Sequence, residues 1–272
     1  MSSPKQVIVS GGFDDLKSRD LRFLEEASKL GGLTVLLWTD SMINQLAGKG
    51  PKFPLEERLY FLNAVRYVSR VIPVNAPLNP NELPPDSSAD IWADIESVEN
   101  EGRETFAHSR TIAYHVFKAS ALKGFPEPLP SASAPGRKKA IATGCYDWLH
   151  SGHVRFLEEA SALGDLYVIV GHDANIRLLK GEGHPLLSET ERRYVVGSIK
   201  YVKQALITTG SGWVDADPEI RRLKPDIYVV NEDGDKGGKR EYCDKMGMKY
   251  LVLKRTPAPG LPKRSSTGLR GF

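Results

Sequence analysis

Residues 155–161 read Arg-Phe-Leu-Glu-Glu-Ala-Ser, and residues 22–28 read the same seven letters. An identity of that length within one chain marks an internal repeat, which decides the architecture before any single element is assigned. Upstream, Gly144-Cys145-Tyr146-Asp147-Trp148-Leu149-His150-Ser151-Gly152-His153-Val154 echoes Gly11-Gly12-Phe13-Asp14-Asp15-Leu16-Lys17-Ser18-Arg19-Asp20-Leu21. Downstream, Glu57-Arg58, Tyr60, Tyr67-Val68 and Asp90-Ile91 are answered by Glu191-Arg192, Tyr194, Tyr201-Val202 and Asp226-Ile227. The copies are joined by residues 127–137, whose Pro, Ser and Ala content reads as a linker. The expected domains are therefore 1–126 and 138–272.

Within the second copy, Lys139 to Ala142 and Leu166 to Val170 are short apolar runs bounded by glycine, the pattern of strands buried on both faces. Between them Val154, Phe156, Leu157, Ala160 and Leu163 recur near a 3.6-residue period, which predicts a helix over about 153–163. A second helix is expected over about 188–200, opened by the Ser-x-x-Glu capping box Ser188 to Glu191. Ile227 to Val230 and Tyr250 to Leu253 complete a set of strands alternating with helices. That alternation predicts an α/β fold with a parallel sheet covered on both faces, whose ligands bind beyond the carboxyl ends of the strands.

The chain has 272 residues with net charge +3, 40% hydrophobic and 26% charged residues. This balance fits a globular protein and excludes a strongly basic nucleic-acid binder. Met1 to Gln6 is polar and leads directly into Val7-Ile8-Val9, so neither a signal peptide nor a membrane span is expected and a cytoplasmic location is the default. Cys145 and Cys243, the two cysteines, are too few for a disulfide framework or structural zinc.

The stretch from Thr143 through Gly144, Cys145, Tyr146 and Asp147 to His153 follows a strand and opens a helix. It sets two imidazoles three residues apart around Gly152. Helix-start N–H groups and the helix dipole favour an anion there, Gly152 allows close approach, and His150 and His153 can donate to phosphate oxygens. Lys180 and Arg192 are candidate cations for a triphosphate, and residues 264–270 add hydroxyls and guanidiniums in one turn. A metal site on the histidine pair is not expected, because no third ligand stands at suitable spacing.

The pattern G-x-Y/F-D-x-x-H-x-G-H, then a lysine, an arginine in the second helix, and S-S-T-x-L-R, resembles the cytidylyltransferase-like nucleotidyltransferases over residues 139–270. The nearest patterns are glycerol-phosphate and ethanolamine-phosphate cytidylyltransferases and the ADP-heptose-forming adenylyltransferase domain, whose lysine segment Leu179-Lys180-Gly181-Glu182 most resembles. The resemblance implies two tandem Rossmann-like α/β/α domains. It also implies in-line attack of a substrate phosphate oxygen on the nucleotide α-phosphate, with Mg²⁺ as cofactor and release of pyrophosphate. CTP is favoured over ATP, and the partner is a phosphorylated alcohol or sugar.

Carried over residue by residue, His150, His153, Lys180 and Arg192 are the expected catalytic set. Thr143, Gly144, Cys145, Tyr146, Asp147, Gly152, Asp173, Arg264, Ser265, Ser266 and Thr267 are the expected nucleotide contacts. The family's R-T-x-G-I-S-T-T is not met around Lys263-Arg264-Ser265-Ser266-Thr267, so its arginine role falls to Arg264 or Arg270. The first copy carries Lys17, Arg19 and Asp20 where the second has His150, Gly152 and His153. It is expected to be non-catalytic and to pack on the active copy as an intramolecular pseudo-dimer, with a homo-oligomer possible. The competing class is a silent nucleotide-binding or scaffold protein.

Overall fold

The computed structural model describes residues 4–76, 79–97 and 100–269. Arg270 and the side chain of Thr267, both called in the terminal motif, lie outside the described residues. The chain divides into two compact units, Met1–Gly124 and Phe125–Phe272, each built on one five-stranded parallel sheet.

The first unit runs β1 (Gln6–Gly11), α1 (Ser18–Ser28), β2 (Gly32–Trp38), α2 (Asp40–Ala47), α3 (Leu55–Ala64), β3 (Arg70–Val74), β4 (Ile91–Ile95), α4 (Asn100–Ser109) and β5 (Ala113–Phe117), with strand order β3-β2-β1-β4-β5. The second runs β6 (Lys139–Gly144), α5 (Ser151–Ser161), β7 (Asp165–Val170), α6 (Asp173–Lys180), α7 (Glu189–Gly197), β8 (Gln204–Ile207), α8 (Asp217–Leu223), β9 (Ile227–Asn231), α9 (Lys239–Met246), β10 (Lys249–Leu253) and α10 (Ser266–Leu269). Its strand order, β8-β7-β6-β9-β10, is that of the first unit.

The central strands are apolar because both of their faces are covered. Val7 and Val9 of β1, and Ala140, Ile141 and Ala142 of β6, are fully buried. On α5 the periodic Val154, Leu157 and Ala160 turn inward and are fully buried. Withdrawing a side chain of leucine size from water in this way contributes about 1.5–3 kcal/mol. Gly164 then turns the chain into β7 so tightly that an added Cβ would collide with the Lys138 carbonyl, and Gly31 does the same against Lys5. The helix expected over 153–163 begins and ends two residues earlier, and α7 is capped by Ser188 Oγ accepting from Glu191 N at 3.3 Å. The edge strand β8 escapes the sequence pattern because it is short and only half covered.

Equivalent side chains make equivalent ties in the two units. Asp90 Oδ2 accepts from Gln6 N, and Asp226 Oδ2 from Lys139 N, both at 2.7 Å, anchoring β1 and β6. Of the segment read as a linker, residues 129–137 are exposed, while Pro128 is buried against Gly197 of α7.

Candidate active site

The central strand β6 ends at Gly144, and the chain then turns through Tyr146, whose backbone is left-handed (φ 53°), before entering α5. His150 is the N-cap of α5, and its Nδ1 accepts from Gly152 N at 3.1 Å. That bond puts the proton of a neutral ring on Nε2. A Cβ on Gly152 would stand 3.0 Å from His150 Cε1, so the glycine makes room for the imidazole. His153, one turn on, stacks obliquely on His150 with centroids 4.0 Å apart and lies 5.5 Å from the Tyr146 ring.

Both rings are neutral near pH 7. Burial, then the neighbouring His153 and the charges of Arg255 and Arg264, pull His150 down to about 2. Burial, then Arg255 and Lys180, pull His153 down to about 4. His150 Nε2 and His153 Nδ1 are buried without a hydrogen-bond partner. Buried polar atoms of this kind are rare in folded proteins and point to a ligand that completes them.

These atoms face a pocket of about 140 Å³ at the carboxyl ends of β6 and β9, lined by Thr143, Gly144, Cys145, Tyr146, His150, Gly152 and His153 from the strand–turn–helix. Seven of the expected residues thus converge on one cavity. The far wall comes from Asn231, Asp233, Gly234, Lys239 and Arg255. A smaller groove beside it adds Lys254, Thr256, Lys263 and Arg264. Thr143 Oγ1 and Tyr228 Oη share a 2.6 Å hydrogen bond that fixes the end of β6 against β9. Burial pushes the Cys145 thiol up, with Lys180 and Arg192 opposing, which disfavours a thiolate nucleophile.

Arg255 is a pocket cation that the sequence reading passed over. It stands two residues beyond the end of β10, its Nη1 pairs with Asp233 Oδ2 at 2.8 Å, and its Nη2 donates to Arg264 O at 3.0 Å. Arg255-Thr256 has the R-T order of the family pattern, separated from Ser265-Ser266 by an intervening segment that carries Lys263 and Arg264. The signal was the dipeptide close after a strand, and the spacing to the serines concealed it. Ser265 Oγ caps α10 by accepting from Gly268 N at 3.1 Å, and Ser266 Oγ donates to Trp148 O at 3.3 Å.

Besides Ser265 and Ser266, Lys180, Arg192, Asp173 and Asp147 stand outside the cavity and its neighbouring groove. Lys180, exposed at the end of α6, acts on it through its charge, within hydrogen-bonding reach of Cys145. Arg192 is fully buried and clasps the loops beneath the site: Nε to Leu187 O at 2.9 Å, Nη1 to Cys145 O at 2.8 Å, Nη2 to Asp173 Oδ1 at 2.6 Å. Asp173 is thereby Arg192's partner and does not reach the pocket. Asp147 Oδ1 accepts from Leu186 N at 2.7 Å and Leu187 N at 3.0 Å, tying the same loops. The first unit repeats both ties without the histidines. Arg58 donates to Phe53 O, Gly12 O and Asp40 Oδ1, and Asp14 accepts from Lys52 N and Phe53 N. A side chain held identically where no imidazoles stand acts as a structural clasp, and Arg192, its guanidinium committed to three protein oxygens, does not line the pocket.

At the histidine positions of the first unit, Lys17 Nζ pairs with Asp15 at 2.8 Å and Asp20 Oδ2 accepts from Lys17 N at 2.8 Å. The start of α1 is thus capped by the chain's own carboxylate.

Among the described residues, no group of three His, Cys, Asp or Glu side chains is placed to hold a metal ion. The pocket's carboxylate, Asp233, is engaged by Arg255. The site does not fit a resident metal, which would have to arrive with the oxygens of a bound triphosphate. No helix among the described residues is long and apolar enough to cross a membrane.

The sequence pattern of the cytidylyltransferase-like family matches residues 141–271, within the second unit. A FAD synthase of Ferroglobus placidus is 39% identical over 120 residues, covering 43% of this chain and 75% of that protein. One of Methanocella paludicola is 35% identical over 135 residues, covering 48% of this chain and 93% of that protein. The bifunctional protein HldE of Geobacter metallireducens is 33% identical over 136 residues, 48% of this chain but only 26% of that protein.

Proposed function

We propose that this chain, which belongs to the cytidylyltransferase-like family and is a nucleotidyltransferase, transfers the nucleotidyl group of ATP to a phosphorylated small molecule in its second unit. The observation that carries the reading is the neutral His150/His153 pair at a helix start, each with one buried ring nitrogen lacking a partner, beside Arg255, Arg264 and Lys180. An acceptor phosphate oxygen attacks the α-phosphorus. A new P–O bond forms there as the bridging bond to the β-phosphate breaks, and pyrophosphate leaves with that electron pair. The nucleophile is already an anion, so no general base is needed and catalysis comes from positioning and charge stabilisation. His150 Nε2–H donates to the α-phosphate oxygen that gains charge, while Arg255 and Arg264 take the leaving phosphates. Mg²⁺ bound to the triphosphate itself would neutralise part of its charge.

The sequence pattern favours CTP, and the name of the matched family supports that second reading. The similarity to FAD synthases, whose product carries an adenylyl group, moves the proposal to ATP. Pyrophosphate release measured with Mg²⁺, each of the four triphosphates and a panel of phosphorylated alcohols and sugars tests it. Release with ATP and one acceptor is expected; nucleotide binding without release from any pair would favour a binding protein. We further propose that the first unit is non-catalytic, because Asp20 and the Lys17–Asp15 pair stand where the histidines would meet phosphate.

A further inference from the structure

Seven large apolar side chains are exposed among the described residues, and five of them, Leu178, Leu179, Leu186, Trp213 and Val214, belong to the connections that leave the carboxyl ends of β7 and β8. Leu178 is 71% and Trp213 50% exposed, and none of the five lines the histidine pocket or the groove beside it. They stand on a fixed frame. The buried Asn175 of α6 donates to Gly212 O at 3.1 Å and accepts from Gly212 N at 2.7 Å, which binds α6 to the short 3-10 turn Gly212–Val214. Leu178 and Leu179 follow on the same side of the helix as Asn175, yet both stay uncovered. Leu186 is held from its backbone, its N–H donating to Asp147 Oδ1 at 2.7 Å.

Cations fringe these side chains. Arg177 and Lys180 are exposed on α6, Lys236 is exposed next to the Gly237 that lies against Trp213, and the Lys239 ammonium stands 5.5 Å from the indole centroid. Of the carboxylates in these segments, Asp173, Asp215, Asp217 and Asp235 are tied to Arg192, Asn175, Arg221 and Tyr250 respectively, and Glu182 is exposed. Leucine, valine and indole ringed by lysine and arginine suit the head-group region of a bilayer. We propose that this face docks the protein on an anionic membrane surface, the apolar side chains entering among the lipids and the cations meeting head-group phosphates and carboxylates. A second copy of the chain fits the face poorly, because Arg177 and Lys180 would be set against their own counterparts. The histidine pocket lies at the same end of the sheet, so docking brings the reaction to the lipid surface.

The test mixes the full chain with vesicles of phosphatidylcholine, with or without phosphatidylserine, and measures the protein that sediments with them. Binding is expected to be about tenfold or more stronger with phosphatidylserine and to weaken as salt is raised. Tryptophan emission should move to shorter wavelength on binding, a change that Trp213→Phe removes. Leu178→Ser/Leu179→Ser is expected to weaken binding by about tenfold or more, and Arg177→Gln by about fivefold, with the melting temperature unchanged because these side chains are exposed. Leu178→Ser alone replaces the double variant should that one melt early. No binding to either vesicle at low salt, or binding that the leucine variant leaves intact, overturns the proposal. So does a particle of twice the chain mass in light scattering that the same variant reduces to one chain, since a second copy would then cover the face. Vesicle binding needs no turnover, so a failure of nucleotidyl transfer leaves this result untouched.

Discussion

Replacing Arg192 with methionine is expected to destabilise the second unit more than it changes the chemical step. The side chain is fully buried and gives two bonds to main-chain carbonyls, at 2.9 and 2.8 Å, and one to Asp173 at 2.6 Å. Each charged bond to a buried carbonyl contributes about 1.5–3 kcal/mol. The Asp173 carboxylate is 33% exposed, so solvent screening limits that pair to about 1 kcal/mol or less. Apolar burial of the methionine offsets part of the loss, leaving about 3–4 kcal/mol, within the range for removing one partner of a buried ionic network. For a unit of this size, that lowers the melting temperature by roughly 10 °C. Scanning calorimetry on the full chain reads it directly, and Arg58→Met should lower the transition of the first unit in the same way. An Arg192→Met protein that melts normally but turns over about a hundredfold more slowly would refute the clasp and restore Arg192 as a transition-state cation.

Gly152→Ala pushes a Cβ to 3.0 Å from His150 Cε1, so the ring must shift; pyrophosphate release is expected to fall by about 10²-fold with little change in stability, and unchanged release would refute the placement of His150. Arg255→Gln removes a cation that depresses both imidazoles, so both pKa values rise in an NMR titration while KM for the triphosphate increases. Because His150 and His153 titrate at about 2 and 4 when folded, the unfolded chain takes up their protons first. Stability is therefore full above about pH 6.5 and falls below it by up to about 1.4 kcal/mol per pH unit for each histidine, a slope that should be absent in the His150→Asn/His153→Asn double variant. The same double variant should lose release by about 10³-fold, and persisting activity would overturn the site assignment.

The fold was legible because its signals are local and repeated. The apolar runs of β6, β7, β9 and β10, the period of α5 and the Ser188 cap each write a single element, and the duplicated heptapeptide fixes how often the set occurs. The strand–turn–helix from Thr143 to His153 was legible for the same reason, since its chemistry lies in one continuous stretch. The far wall of the pocket was not. Asn231, Asp233, Lys239 and Arg255 come from the ends of β9 and β10 and the start of α9, and they meet the histidines only because the sheet places β9 beside β6.

By itself, the sequence determined the strand–helix alternation, the duplication and the phosphate-binding character of the histidine segment, since periodicity and motif spacing are properties of the chain. Only the tertiary structure decided what each charged side chain does. Arg192, Asp173 and Asp147 enter the site through the family resemblance, but Arg192 donates to loop carbonyls and to Asp173 while Asp147 accepts from loop amides, and Arg255, passed over in the sequence, adds to the burial that lowers both imidazoles. Burial and partner distance govern a charge, and neither is defined until the chain has folded.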